Sequence, residues 1–182
     1  LCTSRNAVKV VNSIAPEQPI LFLPDVNLGN YVQKQSGRSN MTIWQGACIV
    51  HATFAERKLM AAQAAHPNAV VVAHPECPPA VLARSTYIGS TSALIDWCVA
   101  SDAQEFIVMT ESGVLHSLSR RAPNKIFHFV PNDNCNCSEC PHMRRNTLEK
   151  LRDALDTLEP RIEIDPAIAQ RAALPVERML AL

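Results

Sequence analysis

Short apolar runs alternate along the chain with longer segments of helical composition. The runs have the length of strands, and most are followed by a polar or acidic residue. They occupy residues 20–23, 69–73, 105–109 and 125–130, with a shorter fifth run at 42–44. Runs that are apolar on both faces are typical of strands covered on both sides, as in a parallel sheet.

Segments rich in strong helix formers lie between these runs. They cover residues 53–65, 92–100 and 114–121, and Pro67 and Pro123 follow the first and the third as stop signals. Strand and helix alternate through short loops, which predicts an α/β fold built from short parallel sheets.

The residue composition changes after Pro131. The next residues are polar and rich in cysteine, and the segment 147–158 then carries leucines at spacings of three and four. That period predicts an amphipathic helix. For residues 162–182 we expect short helical pieces, broken by Pro166 and Pro175.

Composition narrows the classes of partner. The formal net charge is zero, so there is no basic excess to hold a phosphate backbone, and we expect no nucleic-acid partner. No run approaches the roughly 20 apolar residues of a membrane span, and no secretory signal is visible, so we expect a cytoplasmic protein. The chain begins with Leu1 rather than Met, which favours a fragment.

Four polar side chains follow the predicted strands: Asp25, His74, Glu76 and Glu111. In open α/β sheets, ligands bind at the carboxyl ends of the strands, so each is placed where a site could form. The same loops also need helix N-caps and acids in the first helical turn, and this alternative explains any one of them equally well.

Two further motifs have a chemical interpretation and a structural one. Cys48 follows a glycine turn, with His51 three residues later, and this pair is either a site or a buried thiol beside a core histidine. Ser90, Thr91 and Ser92 open a predicted helix, where hydroxyls and N–H groups bind anions or simply cap the helix.

A third motif is the cluster Cys135, Cys137 and Cys140, which precedes Pro141. The cluster could hold a zinc ion, feed an iron–sulfur cluster or make a redox disulfide, and its density favours metal binding. The odd number of cysteines in the chain argues against a simple set of internal disulfides. A Cys–Pro pair is also seen at iron–sulfur sites.

These motifs, taken in order, resemble quinolinate synthase over nearly all of the 182 residues. The stretches that carry the resemblance are 2–7, 23–25 with 28–29, 44–48 with His51, 74–77, 89–92, 110–113, and 140–146. Each is short, but the series in this order is specific.

The resemblance implies an enzyme, a transferase that condenses iminoaspartate with dihydroxyacetone phosphate to quinolinate in NAD biosynthesis, and a functional link to L-aspartate oxidase. The family fold has three similar αβα domains around a pseudo-threefold axis. Two would be present here, at residues 1–47 and 48–131, with 132–182 forming a Cys-rich loop and a helical tail that packs back on the core. We expect roughly 130–170 further N-terminal residues, about one domain, and an inactive fragment without them.

The family also holds a [4Fe–4S] cluster through three cysteines, one from each domain, and leaves one iron open to substrate. By motif match Cys48 and Cys140 would be two ligands, and the third would lie upstream of Leu1. The residues implied to bind substrate are Ser4, His51, His74, Glu76 and Thr91. His74 and Glu76 would also move protons.

Cys135 and Cys137 depart from the ligand role and would form a reversible disulfide with a neighbour. The main alternative function is a zinc- or thiol-binding α/β protein without catalysis, in which Cys135, Cys137 and Cys140 form a local structural site. A second alternative is a non-catalytic relative that keeps the fold for interaction only.

Overall fold

A computed structural model describes residues 1–131 and 138–182, which form two compact units. One unit is Thr3–Glu139, and the other is Leu1–Cys2 with Cys140–Leu182. Within the described ranges, no helix is both long enough and apolar enough to cross a membrane.

The larger unit begins with a two-stranded parallel sheet. Strand β1 (Ile20–Phe22) pairs with β2 (Met41–Ile43), and helix α2 (Val26–Ser36) connects them. A short helix α1 (Ala7–Asn12) packs on α2. Helix α2 ends at Gly37, whose φ of 67° is the left-handed conformation that favours glycine.

A four-stranded sheet follows, and all of its strands are parallel in the order β4-β3-β5-β6. Its strands are β3 (Val70–Ala73), β4 (Tyr87–Ile88), β5 (Glu105–Met109) and β6 (Ile126–Phe129). The connecting helices are α3 (Glu56–Ala65), α4 (Pro79–Ala83), α5 (Thr91–Ala100) and α6 (Val114–Arg121).

The core of this unit lies between the sheet and the pair α5 and α6. Phe106 and Val108 of β5 pack there against Leu94, Cys98 and Leu118 of the two helices. Each of these side chains is 0–1% exposed. Full burial of a Val, Leu or Phe side chain contributes about 1.5–3 kcal/mol to stability. The strand positions between them face the other side of the sheet.

The smaller unit contains a short 3₁₀-helix (Met143–Arg145) and two α-helices, α7 (Leu148–Thr157) and α8 (Pro166–Leu180). Thr147 caps α7 by accepting a hydrogen bond from the Lys150 N–H. The expectation of short pieces after residue 162 is wrong, because α8 is continuous. Pro166 occupies the first helical turn, where no N–H partner is needed, and Asp165 caps that turn. Pro175 lies inside α8 without ending it.

The predicted α/β fold with short parallel sheets is confirmed: four of the five apolar runs contain a strand, and the fifth, at 42–44, overlaps β2. The predicted boundary at residues 47 and 48 separates the two sheets but falls inside the larger unit. The domain limits, the pseudo-threefold arrangement and the packing of the tail therefore stay predictions.

Candidate functional site

The candidate site lies at the carboxyl ends of the strands in the larger unit. His74 directly follows β3, Thr110 directly follows β5, and Cys48 lies in the loop after β2. His74 is tied to β5 through its backbone N–H, which donates to the Met109 carbonyl oxygen at 3.1 Å. Neighbouring parallel strands thus bring residues distant in sequence together at the carboxyl end of the sheet.

Asp25 fixes the backbone of the loop that carries Cys48. It is 3% exposed, and its Oδ1 accepts a hydrogen bond from the Leu28 N–H at 2.7 Å as the N-cap of α2. Its Oδ2 accepts the Cys48 N–H, also at 2.7 Å. One buried carboxylate therefore joins the start of α2 to the candidate ligand, through charge-assisted hydrogen bonds.

Gly46 allows this loop to approach β1 closely. Its carbonyl accepts the Val26 N–H at 2.8 Å, and a side-chain Cβ at this position would lie 2.5 Å from the Pro24 carbonyl oxygen. A larger residue would displace the loop, and with it the Cys48 thiol.

Three possible metal donors meet at the centre of the site. His51 Nδ1 lies 3.2 Å from Cys48 Sγ and 3.0 Å from Glu76 Oε2. The ligand atoms of Cys48, His51 and Glu76 all lie within 4.8 Å of one another, so they could hold a metal ion together. On the other side of the ring, His51 Nε2 lies 2.9 Å from Thr110 Oγ1.

His74 lies beside this group, with its ring stacked on His51 at 4.4 Å between centroids. Its Nδ1 accepts the Glu76 N–H at 3.3 Å, so the ring proton of the neutral form is on Nε2. Nε2 can then donate to Ser4 Oγ, 3.2 Å away.

The two histidines have opposite pKa shifts. Burial alone would lower the pKa of His51, but hydrogen bonds to Cys48 and Glu76 outweigh it and raise this pKa to about 9. Burial lowers the pKa of His74 to about 4, and the positive charge of His51 adds to this effect. Near neutral pH this difference in pKa favours a charged His51 ring beside a neutral His74 ring.

The thiol and carboxylate respond to the same contacts. Burial would raise the pKa of Cys48, yet hydrogen bonds with His51 bring it below the ordinary thiol value. Burial would likewise raise the pKa of Glu76, and the His51 hydrogen bond lowers it. These contacts therefore shift Cys48 toward the thiolate, which is the form of cysteine that binds metal.

The N-terminal segment and the start of α5 border the site. Arg5 donates from Nη1 to Ser92 Oγ at 3.0 Å, while its neighbour Ser4 contacts His74. Ser90 caps α5 by accepting the Ala93 N–H, and Thr91 is the exposed first residue of that helix. Ser4 and Thr91 consequently lie on adjoining segments.

The sequence-predicted residues fall into three groups. Ser4, His51, His74, Glu76 and Cys48 are joined by direct contacts, and Thr91 lies on the adjoining segment. Cys140 belongs to the other compact unit, so its pairing with Cys48 stays a prediction. Cys135 and Cys137 lie outside the described residues, and so do the proposed disulfide and most of the alternative local zinc site.

The N-cap alternative applies to Asp25, and Glu111 accepts the Gly113 N–H within its own loop at 2.6 Å. Sequence reasoning missed the bond from Asp25 to the Cys48 N–H and the contact of Thr110 with His51. Asp25 was recognisable as an acid after a strand, but nothing in the sequence pairs it with a loop 23 residues away.

Comparisons with known proteins agree on one family. The family model described as quinolinate synthetase A protein (NadA) matches residues 1–181. Proteins named quinolinate synthase are 51% identical in Prochlorococcus marinus (strain MIT 9313) and 50% identical in Nostoc sp. (strain PCC 7120). The matches cover 99% and 100% of this chain, but only 54% and 56% of those proteins. The chain thus spans about half the length of the curated relatives it matches.

Proposed function

The chain belongs to the quinolinate synthase family, and on that premise we propose that the protein it forms part of is a quinolinate synthase. It would condense iminoaspartate with dihydroxyacetone phosphate in NAD biosynthesis, and an L-aspartate oxidase would supply the first substrate. The proposal is supported most strongly by one observation. At the carboxyl ends of the strands, the side chains of Cys48, His51, Glu76 and His74 contact one another.

The proposed cofactor is a [4Fe–4S] cluster with Cys48 and Cys140 as two ligands and a third cysteine outside this chain. The Cys48 surroundings suit such a group: the thiol is half-buried, its backbone is fixed by Asp25, and His51 hydrogen-bonds to the sulfur. When bound, a cluster with one open iron supplies Lewis-acid chemistry to an oxygen of the substrate.

The side chains around Cys48 would handle protons and orient the substrate. His74 and Glu76 are adjacent, with a backbone hydrogen bond that fixes the ring, so a proton can pass between substrate and either group. His51 is held between Thr110 and Glu76 and would position that carboxylate.

Anionic parts of the substrates would bind where the N-terminal segment meets α5. Ser4 offers a hydroxyl beside His74, and Thr91 offers one in the first turn of α5. Helix N-termini attract phosphate and carboxylate groups, because their first N–H groups have no partner within the helix.

A mononuclear metal site is the second candidate function. Cys48, His51 and Glu76 are a sufficient donor set for one zinc ion with a fourth position for water. This reading needs neither Cys140 nor the rest of the protein, and it predicts a colourless protein.

A direct assay of the full-length protein tests the proposal. Protein reconstituted anaerobically with iron and sulfide is given iminoaspartate and dihydroxyacetone phosphate, and quinolinate is measured. We expect Glu76→Gln to lower kcat by about 100-fold or more, the usual size of general acid–base effects. Glu56 is a partly exposed carboxylate that pairs with Arg84 away from the site, so Glu56→Gln is the matched control and should keep full activity. Unchanged turnover in Glu76→Gln would contradict the assigned role, and no quinolinate from any form would contradict the proposed reaction.

A further inference from the structure

A second cluster of metal-binding side chains lies at the opposite end of the four-stranded sheet. It consists of His66, Glu105 and His128, and is called here the amino-end cluster. Their ligand atoms all lie within 4.8 Å of one another. We propose that the amino-end cluster binds a divalent transition-metal ion, zinc foremost, independently of the site at the carboxyl end.

The sheet register explains why the two strand residues meet. Ile107 of β5 pairs with His128 of β6, and Glu105 lies two positions before Ile107. Residues two apart on a strand share a face, so Glu105 and His128 project to the same side. The intervening Phe106 and Phe127 stack on the other side, at 5.5 Å between centroids.

The third donor comes from the end of a helix. His66 is the C-cap residue of α3, and its ring stacks on His128 at 3.5 Å between centroids. Glu105 Oε1 lies 3.2 Å from His66 Nδ1 and 2.8 Å from His128 Nε2. One carboxylate oxygen is therefore shared by two imidazoles.

These separations are near those of a tetrahedral zinc site. Bonds of about 2.0–2.1 Å to a tetrahedral ion place two ligand atoms roughly 3.3 Å apart. The Glu105 contacts need to change by only a few tenths of an ångström, whereas the stacked rings must separate. The His66 and His128 side chains are 35% and 25% exposed, which leaves them room to turn and leaves a fourth position to water.

The donor types select the metal. Two imidazoles with one carboxylate suit zinc and its neighbours among the transition metals, while calcium and magnesium prefer oxygen ligands alone. A bound ion would join the end of α3 to β5 and β6. Strand β5 is five residues long, so this site and the carboxyl-end site lie roughly 16 Å apart along the strand.

Zinc stoichiometry of the full-length protein tests the proposal. Protein stripped with a chelator is dialysed against zinc, and bound zinc per chain is measured for the unaltered protein, His66→Gln, His128→Gln and Glu105→Gln. We expect each histidine variant to hold one zinc fewer than the unaltered protein. Glu105→Gln should weaken that site by more than the roughly 10–100-fold that changes outside the ligand sphere cost.

Two controls keep the result decisive. His116 is exposed on α6 and lies outside both clusters, so His116→Gln should bind as much zinc as the unaltered protein. Sites made of cysteine also bind zinc, and cobalt substitution distinguishes them from the amino-end cluster. The cobalt ion that is lost in His128→Gln should show no sulfur-to-metal charge-transfer band. Glu105→Gln changes shape least and decides the matter if a histidine variant unfolds. Equal zinc content and affinity in all variants would overturn the proposal.

Discussion

The two ends of the four-stranded sheet gather the same kinds of side chain in different surroundings. At the carboxyl end the side chains of His74 and His51 are 6% and 10% exposed, whereas at the amino end those of His66 and His128 are 35% and 25% exposed. Buried polar groups need fixed partners, and the carboxyl end supplies hydroxyls and backbone N–H groups around its histidines. The amino end joins its three side chains mainly to one another.

The carboxyl end is preorganised by fixed partners, whereas the amino-end side chains are merely close to one another. The carboxyl-end histidines are bonded to Thr110, Ser4 and the Glu76 N–H, and such fixed geometry is what the proposed reaction would need. The amino-end residues have the freedom to rearrange around an ion. Changes at the carboxyl end should therefore affect stability strongly even without metal, and changes at the amino end should affect it weakly.

Removal of the Asp25 carboxylate should have the largest effect on stability. Asp25→Ala leaves the buried Leu28 N–H and the partly buried Cys48 N–H without their acceptor, and removes an N-cap. We expect the free energy of unfolding to fall by about 3 kcal/mol. Urea denaturation followed by tryptophan fluorescence measures it, because Trp97 packs beside the core. A loss below about 1 kcal/mol would contradict the role given to Asp25.

The loss of stability at acid pH should reveal the low pKa of His74 in the folded chain. In the unfolded chain its pKa has the ordinary value of 6.5, but in the folded chain it is about 4. Between these values the unfolded state takes up a proton that the folded state does not, so stability falls as pH decreases from 6.5 to 4. In metal-free protein this contribution approaches about 3 kcal/mol.

Comparison with His74→Gln isolates that contribution from other titrating groups. The variant should lose less stability than the unaltered protein over the same pH range, and His116→Gln should lose as much as the unaltered protein. Parallel pH profiles for His74→Gln and the unaltered protein would mean that His74 is not held neutral in the folded state.

A smaller effect is expected from the loop turn at Gly46. In Gly46→Ala the new Cβ meets the Pro24 carbonyl oxygen, a backbone atom that cannot rotate away. We expect a loss of about 1–3 kcal/mol, together with weaker metal binding at Cys48. Denaturation and iron content measured on the same preparation would show whether the two losses occur together, as the position of Cys48 on this loop requires.

The smallest effect should come from the amino end without metal. Glu105 is a quarter exposed, and its partners are two histidines that water also reaches, so Glu105→Gln should cost about 1 kcal/mol or less in chelator-treated protein. A cost as large as that of Asp25→Ala would remove the contrast between the two ends.

Much of the fold was predictable because the apolar runs are short and continuous. Strand β5 begins and ends where the sequence pattern places it, as does helix α6. Strand β4 was missed because it has only two residues, and α2 was missed because its first half is rich in Val, Asn and Gly, which are weak helix formers. Pro175 gave a stop signal that the surrounding helix overrides.

The candidate site was predictable only in part. His74 and Glu76 are two residues apart at a strand end, so their proximity follows from local sequence. The contacts of His51 with Glu76 and Thr110 span 25 and 59 residues, and only the folded sheet brings them together. The amino-end cluster was likewise not predictable, because His66 was interpreted as part of a helix stop and His128 as an ordinary strand residue.

The central proposal is that Cys48 and Cys140 would hold one iron–sulfur cluster in the full-length protein. Anaerobic reconstitution followed by iron and sulfide analysis of Cys48→Ser, Cys140→Ser and Cys98→Ala tests it most directly. Cys98 is buried in the core, and burial raises its pKa to about 11, so it is the matched inert thiol. We expect Cys48→Ser and Cys140→Ser each to lose most of the iron and sulfide, and Cys98→Ala to keep both. Full iron and sulfide in either of the first two variants would contradict the claim.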